Sequence, residues 1–470
     1  MLFNSYIFLS FMAVVYALYL VLRPRQQNAM LLVASYIFYG AWDWRFCSLL
    51  LLSTVVDYVV AHRIAASNLA GRRKAWLMGS LVANLGILFG FKYFGFFYDS
   101  LVALGAWFGL DLDTLSLRII LPVGISFYTF QTLSYTIDVY RGQIRPARSL
   151  ADFALYVAFF PQLVAGPIER SSSLLPQIEG ARRVTLAGFR EGSWLVLLGY
   201  YKKVVLADNV APYVNLVFGD PATASGLAIP IAVLAFAIQI YGDFSGYTDI
   251  ARGISRWMGF DLMENFRRPY FALSPKQFWQ RWHISLSTWL RDYLYLPLGG
   301  NRSGAGRTYF NLMATMVLGG LWHGAAWNFL LWGFYQGLLL VVYRMLRLEE
   351  PLDRLARQPI SVTKALVWAQ FMVMIGIGWM FFRVESLGDM GILMTRFVEG
   401  PFFSGKAALL TMLVYGFPVL LVDLFQERRK SAVAIKELPM PVRYGLYVLL
   451  FAIIVISGVR NGGEFIYFQF

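Results

Sequence analysis

The chain has 470 residues, of which 58% are hydrophobic, 17% aromatic and only 14% charged, with a formal net charge of +14. A mean hydropathy of +0.56 and a charged fraction far below the quarter or so usual in soluble domains exclude an ordinary water-soluble globule. The basic excess does not indicate a nucleic-acid binder, because the Lys and Arg residues are dispersed between apolar runs and no recognition module is present.

Residues 1–22 carry no charge. They lack a basic leading segment and an evident cleavage site, so they read as a retained membrane helix and not as a signal peptide. Uncharged runs recur at 26–42, 224–242, 308–343, 365–382 and 444–459. Further apolar spans are expected at 44–62, 75–97, 119–140, 188–205 and 407–426, each near the roughly 20 residues that cross the hydrocarbon. None alternates at period two, as a closed barrel requires. The fold class is therefore an all-α polytopic membrane protein with about 11 or 12 spans. It reads as one membrane-embedded domain, 1–470, with a catalytic core at about 119–345.

Three stretches are irregular. Pro122 and Gly124 interrupt one span, and FFPQLVAGPIER is short and bounded by Pro. Residues 243–307 are broken at Gly253, Gly259, Pro269, Pro275, Pro297 and Gly299–Gly300. Such sequence predicts short amphipathic or re-entrant helices, with 152–168 and 277–295 re-entering the membrane without crossing it. Basic clusters at Arg23–Arg25, Arg63–Lys74, Arg141–Arg148, Arg182–Arg190, Arg252–Arg307, Arg344–Arg357 and Arg428–Lys430 fall on the cytoplasmic side by the positive-inside rule. The loops 98–117 and 206–223 then face outward, as do both termini if there are 12 crossings.

The single cysteine, Cys47, cannot form an internal disulfide, and three histidines do not make a metal cage. No metal site is expected. Cys47 reads as a small buried hydrophobe and His62 as an interfacial residue.

The other two histidines carry the chemistry. From Thr308 to Tyr343 there is no Asp, Glu, Lys or Arg, so His323 is the one readily titratable group in a membrane-length stretch. An imidazole there is costly unless it is paired or lines a cavity, and neutral imidazole is a natural proton acceptor. Gly319, Gly320 and Gly324 permit close approach, and Trp322 and Trp327 are expected to wall the site. If 277–293 is one helix, Trp279, His283 and Ser287 share a face, with Trp282, Ser285 and Trp289 on neighbouring faces and Arg281 and Arg291 flanking. The chemistry suggested is proton removal from an attacking alcohol by His323, with a thioester carbonyl as electrophile. Trp322, Asn311 or His283 would donate to the oxyanion. No serine nucleophile elbow or reactive cysteine is present, which favours direct transfer.

Asp243 and Asp249 close an uncharged span and read as structural anchors of the core, with Arg252 and Arg256 as partners. Asn265, Arg267, Arg268 and Tyr270, together with Arg281, are candidates for a cofactor phosphate. Lys202, Lys203 and Asp208 read as topology markers and Glu169 as structural.

The stretches PVGISFYTFQTLSYTIDVYRG (122–142), FPQLVAGPIER (160–170), YGDFSGYTDIARG (241–253), MENFRRPYFALSPKQFWQRWHISLSTWLRDYLYLPLGGNR (263–302), NLMATMVLGGLWHGAAWNFLLWG (311–333) and EFIYFQF (464–470) carry a resemblance that spans nearly the whole chain. It resembles the membrane-bound O-acyltransferase family, and within it the bacterial branch that O-acetylates alginate, itself similar to peptidoglycan and cellulose acetylation proteins. The resemblance implies a ring of tilted helices around a thin core, with a funnel to the catalytic histidine. It maps the family's essential histidine onto His323 and the second active-site position onto His283. It further implies cytoplasmic acetyl-CoA as donor substrate with no permanently bound cofactor, an inner-membrane location among membrane lipids, and an exopolysaccharide acceptor outside. The implied partners are a periplasmic or membrane-anchored SGNH-type acetyltransferase and polysaccharide secretion machinery. Alginate is the first expectation for the acceptor, with cellulose and peptidoglycan open. A lipid-linked sugar transporter is the alternative of another class, and it should show inverted repeats with matching broken spans. None is visible.

Overall fold

The computed structural model describes residues 1–110, 119–224, 226–399, 405–460 and 465–466. Most of the EFIYFQF motif and the second half of the 98–117 loop lie outside the described residues. Among these residues every regular element is a helix, as expected where lipid offers no partner for backbone N–H and C=O groups. Local signals set the helix starts: Ser5 accepts the N–H of Phe8 at the head of Tyr6–Val21, Ser361 accepts that of Lys364 at the head of Val362–Arg383, and Pro24 occupies the first turn of Pro24–Asp43.

Among the described residues, six helical stretches are long and apolar enough to cross a membrane: Pro24–Ala66, Ala70–Trp107, Ala228–Trp257, Val362–Arg383, Lys406–Arg429 and Met440–Ser457. The sharply bent pair Trp327–Met345 and Glu349–Arg357 makes a seventh if counted as one span. The protein is a multi-pass membrane protein. The sequence-based count of about 11 or 12 spans exceeds this for physical reasons. The expected spans 26–42 and 44–62 are both present as helices of 20 residues, joined by a 3-10 turn at Trp44–Phe46 into one counted stretch of 43 residues, about twice the length of one crossing. Tyr6–Val21 and Ile125–Tyr140 hold only 16 residues each, the latter starting late because Gly124 turns with φ of 76°.

The chain divides into two compact units, Met1–Thr185 with Ser255–Leu262, and Leu186–Ile254 with Met263–Phe470. In the first, Cys47–Ala66, Ala70–Leu88 and Ile125–Tyr140 pack together, and Leu150–Ala158 packs on Pro24–Asp43. Residues 152–168 form two short helices, Leu150–Ala158 and Phe160–Leu163, broken at Phe159 and buried. The exposed end of the broken helix is satisfied from the side: Gln131 and Gln162 both donate to the Tyr156 carbonyl, at 2.6 and 2.7 Å. Glu169 is buried, and its carbonyl accepts the Tyr156 hydroxyl at 3.1 Å, a structural position as expected.

The second unit is built on Ala228–Trp257, which crosses Leu186–Tyr200 where Gly199 and Gly246 meet. A Cβ on Gly246 would stand 2.7 Å from the Gly199 carbonyl. A second contact of this kind joins the hairpin Gly304–His323 and Trp327–Met345, where a Cβ on Gly320 would collide with the Phe329 carbonyl and one on Gly333 with the Met316 carbonyl. Small residues let the two backbones touch, which is how helices associate without a hydrophobic driving force.

Candidate active site

All the functional residues singled out above belong to the second unit. The expected helix over 277–293 does not exist. Pro275–Trp279 ends in a turn, His283 adopts a left-handed conformation (φ 42°, ψ 54°), and a new helix runs Ile284–Leu290. Trp279, His283 and Ser287 therefore do not repeat along one face. A left-handed non-glycine residue costs on the order of 1–3 kcal/mol and persists only where its surroundings over-determine it. Here the 265–267 loop is clamped to 281–284 by two backbone hydrogen bonds, Arg267 N–H to the Arg281 carbonyl at 2.8 Å and Ile284 N–H to the Asn265 carbonyl at 3.0 Å.

The clamp brings the Asn265 side chain under the imidazole. Asn265 Oδ1 accepts from the Ser285 backbone N–H at 3.1 Å and from Ser285 Oγ at 3.0 Å, and lies 3.2 Å from His283 Nδ1. A backbone N–H can only donate, so the shared Asn265 atom is the oxygen. Nδ1 of His283 must then carry the proton, and Nε2 holds the basic lone pair. Asn265 is thus not a phosphate ligand, as the sequence suggested. It is buried and committed to orienting His283.

His323 is the last residue of the Gly304–His323 helix, at the tip of the hairpin. Both imidazoles are buried, at 0% exposure for His283 and 4% for His323. Their ring centroids stand 6.3 Å apart. Trp322 touches both, at 5.9 Å from His283 and 5.1 Å from His323. Trp332 and Phe382 complete the wall around His323, at 5.1 and 5.3 Å, and Phe244 packs on His283 at 4.7 Å. Trp327, the expected second wall, is instead 57% exposed. The break at 324–326 resets the helical phase, and Trp332 takes its place. Trp279 backs the chamber, 5.8 Å from Trp332. Asn311 cannot serve as an oxyanion donor. It lies 12 residues before His323 on the same helix, roughly 18 Å along the axis, and its amide donates to the Gly300 carbonyl at 2.9 Å.

The second unit also holds a buried charged network that the sequence reading undervalued. Lys202 and Lys203 are not surface topology markers. They are 4% and 5% exposed, in a π-helical turn Tyr201–Ala207. Lys203 bridges Asp243 at 2.8 Å and Asp208 at 2.9 Å, and Lys202 binds Asp249 at 2.9 Å. Asp243 thus supports the core as expected, but through Lys203, whereas Arg252 lies 3.7 Å from Asp249 and Arg256 pairs with Asp261. Asp243 Oδ2 also accepts the Ile466 backbone N–H at 2.7 Å, tying the end of the chain into the core. The available signal was the match between two adjacent lysines and two aspartates six residues apart, all in apolar surroundings.

The arginine candidates form their own cluster. Arg268 and Arg281 both bind Glu427, at 2.7 and 2.9 Å, while the more exposed Arg267 binds Glu264 at 2.6 Å. Arg268 also reaches one end of an apolar cavity of about 1000 Å³, beside Tyr241, Tyr270 and Asp423. The Tyr241 hydroxyl donates to Asp423 at 2.8 Å. Elsewhere, His62 contacts the Tyr58 carbonyl and Cys47 is half-buried with a free thiol.

The sequence model of the membrane-bound O-acyltransferase family matches residues 143–382, half of the chain and the part that holds both histidines. The chain belongs to the membrane-bound O-acyltransferase family. A relative in Azotobacter vinelandii, described as the probable alginate O-acetylase AlgI, is 43% identical over 82% of this chain and 76% of its own. The protein of the same description in Pseudomonas aeruginosa is 43% identical over 82% of this chain and 73% of its own. A peptidoglycan O-acetyltransferase of Helicobacter pylori is 34% identical over 82% and 78%. In this chain of that family, two buried imidazoles share one chamber with rigid aromatic walls. Such walls exclude bulk water and fix the imidazoles, conditions under which a positioned base acts efficiently.

Proposed function

We propose that the protein transfers acetyl from cytoplasmic acetyl-CoA, across the bacterial inner membrane, for O-acetylation of an exopolysaccharide, most closely alginate. The observation that carries this reading is the pairing of His283 and His323 across 6.3 Å in one aromatic chamber, joined with likeness to alginate O-acetylases over 82% of the chain.

His323 acts as general base. It takes the proton of an acceptor hydroxyl as the oxygen attacks the acetyl carbonyl, a new O–C bond forms, and the C–S bond to coenzyme A breaks. The departing thiolate takes a proton from the imidazolium, so the enzyme returns to its starting state. His283, with Nδ1 held by Asn265, uses Nε2 to orient the acceptor, while the Trp322 indole, in ring contact with both imidazoles, donates to the developing oxyanion. Arg267, Arg268 and Arg281 draw in the donor's phosphates. The cluster of Arg268, Arg281 and Glu427 keeps one net positive charge, and guanidinium pairs with phosphate in bidentate fashion. The hydroxyl acceptor belongs to an SGNH-type partner that hands acetyl to the polymer, with secretion machinery delivering it.

The test is acetyl transfer from labelled acetyl-CoA, in vesicles exposing the cytoplasmic face and supplied with the partner. His323→Ala should insert and fold normally but lose about 10²–10⁴ in rate, and His323→Asn should not rescue it. Near-normal transfer by His323→Ala would remove the base mechanism. Labelling of peptidoglycan and not alginate would move the acceptor assignment to the function named for the Helicobacter relative.

A further inference from the structure

The first unit, which contains neither His283 nor His323, holds a buried carboxylate that the transfer reaction does not use. Asp57 sits on Cys47–Ala66 with 0% exposure, inside a stretch long and apolar enough to cross the membrane. Neutral side chains from two other helices converge on it, Thr132 among them. Ser80 Oγ and Thr136 Oγ1 donate to Oδ1, the latter at 3.0 Å, and Asn84 Nδ2 donates to Oδ2 at 2.9 Å. Among the described residues no lysine, arginine or histidine pairs with it. An aspartate in this position is expensive unless its charge is compensated. Burial favours the neutral acid and the converging donors favour the carboxylate, so a cation among these oxygens would hold the group charged.

A second observation says what kind of charge. Asn84 is 1% exposed, and its Oδ1 has no hydrogen-bond partner although its Nδ2 is already on the carboxylate. One turn before Asp57, Ser53 is 2% exposed and its Oγ likewise has no partner. Two unsatisfied buried oxygens, one on the residue that binds the carboxylate and one a helical turn before it, join the hydroxyls of Ser80 and Thr136 in an all-oxygen donor set of one carboxylate. Hard oxygen donors suit alkali and alkaline-earth cations and not soft transition metals. A divalent ion would need further carboxylates, and the described residues contain no cluster of three or more acidic, His or Cys side chains.

We propose that Asp57, Asn84, Ser80, Thr136 and Ser53 form a sodium site that neutralises the interior of the first unit. Bound Na⁺ completes the bonds of Asn84 Oδ1 and Ser53 Oγ and ties three helices together, so the ion stabilises the folded state by mass action. Thermal unfolding of the purified full-length protein in detergent tests it, with NaCl titrated against choline chloride at constant ionic strength and pH. The melting temperature should rise with Na⁺ and saturate. Asp57→Asn should abolish the Na⁺-dependent rise. Asn84→Ala and Ser53→Ala keep the carboxylate, so they serve if Asp57→Asn fails to fold. Each should move the half-saturating Na⁺ concentration upward. A wild-type melting temperature indifferent to Na⁺ would overturn the proposal, as would one that responds to pH alone, which would make Asp57 a protonated hydrogen-bond node. An unchanged Na⁺ midpoint in both Asn84→Ala and Ser53→Ala would also overturn it.

Discussion

Asp57 in the first unit and Asp243 in the second face the same difficulty, a carboxylate enclosed by apolar helices, and they meet it differently. Asp243 is matched by Lys203 at 2.8 Å, with Asp208 sharing the same ammonium. Asp57 is matched by neutral donors, those of Ser80, Asn84 and Thr136 among them. An internal ion pair locks two backbone segments at a fixed distance, here Tyr201–Ala207 against Ala228–Trp257. A carboxylate held by hydroxyls and an amide leaves its charge available to something mobile. The contrast separates a part of the molecule built to hold still from a part built to accept.

Substitutions sharpen that contrast in order of effect. Lys203→Met should be the most damaging, because it leaves Asp243 and Asp208 buried and unpaired, and breaking a buried pair from one side costs about 3–5 kcal/mol. Loss of folded yield and a large fall in melting temperature are the readouts, and Lys203→Met combined with Asp243→Asn and Asp208→Asn should recover part of the loss. Asp57→Asn should cost less, on the order of 1–3 kcal/mol in Na⁺-free buffer, because it orphans no opposite charge and mismatches only the Asn84 amide. If the two variants melt alike, the distinction between locked and mobile compensation fails. Asn265→Ala should lower the transfer rate by roughly tenfold, the kinetic equivalent of about 1.4 kcal/mol, since His283 loses the acceptor that fixes its tautomer. Asn265→Asp keeps that acceptor and should retain most of the rate, which a purely structural role would not predict. At the small end, Trp327→Ala should stay within about 0.5 kcal/mol in stability and leave transfer intact, because its ring is outside the chamber. The same change at Trp332 should impair transfer strongly.

Much of this was legible in the chain. Uncharged runs announce membrane helices, and a lone imidazole in a charge-free stretch announces that His323 is buried among helices, because both rest on composition. Gly320 announced close packing for the same local reason. What escaped were features set by backbone breaks. The break at 280–283 turned an expected helical face into a left-handed residue clamped to a distant loop, which moved Asn265 from a phosphate ligand to the support of His283. The break at 324–326 exchanged Trp327 for Trp332. Lys202 and Lys203 escaped because adjacency to a span end reads as interface, and only the crossing of Gly199 with Gly246 shows that they face inward. The apolar runs at 26–42 and 44–62 gave correct helices, each of 20 residues, which a 3-10 turn joins end to end.

The contact between Gly320 and Gly333 has a consequence for genetics. An added methyl at position 320 meets the Phe329 carbonyl, and one at 333 meets the Met316 carbonyl, both backbone atoms. Where a new side chain collides with another side chain, a second mutation can trim the neighbour and restore the fit. A carbonyl oxygen cannot be trimmed by any codon. A selection for restored function starting from Gly320→Ala should therefore return true revertants almost exclusively, whereas damage to the side-chain wall around His323 should yield suppressors at several positions. The hairpin that presents His323 is in this sense the least negotiable part of the chain.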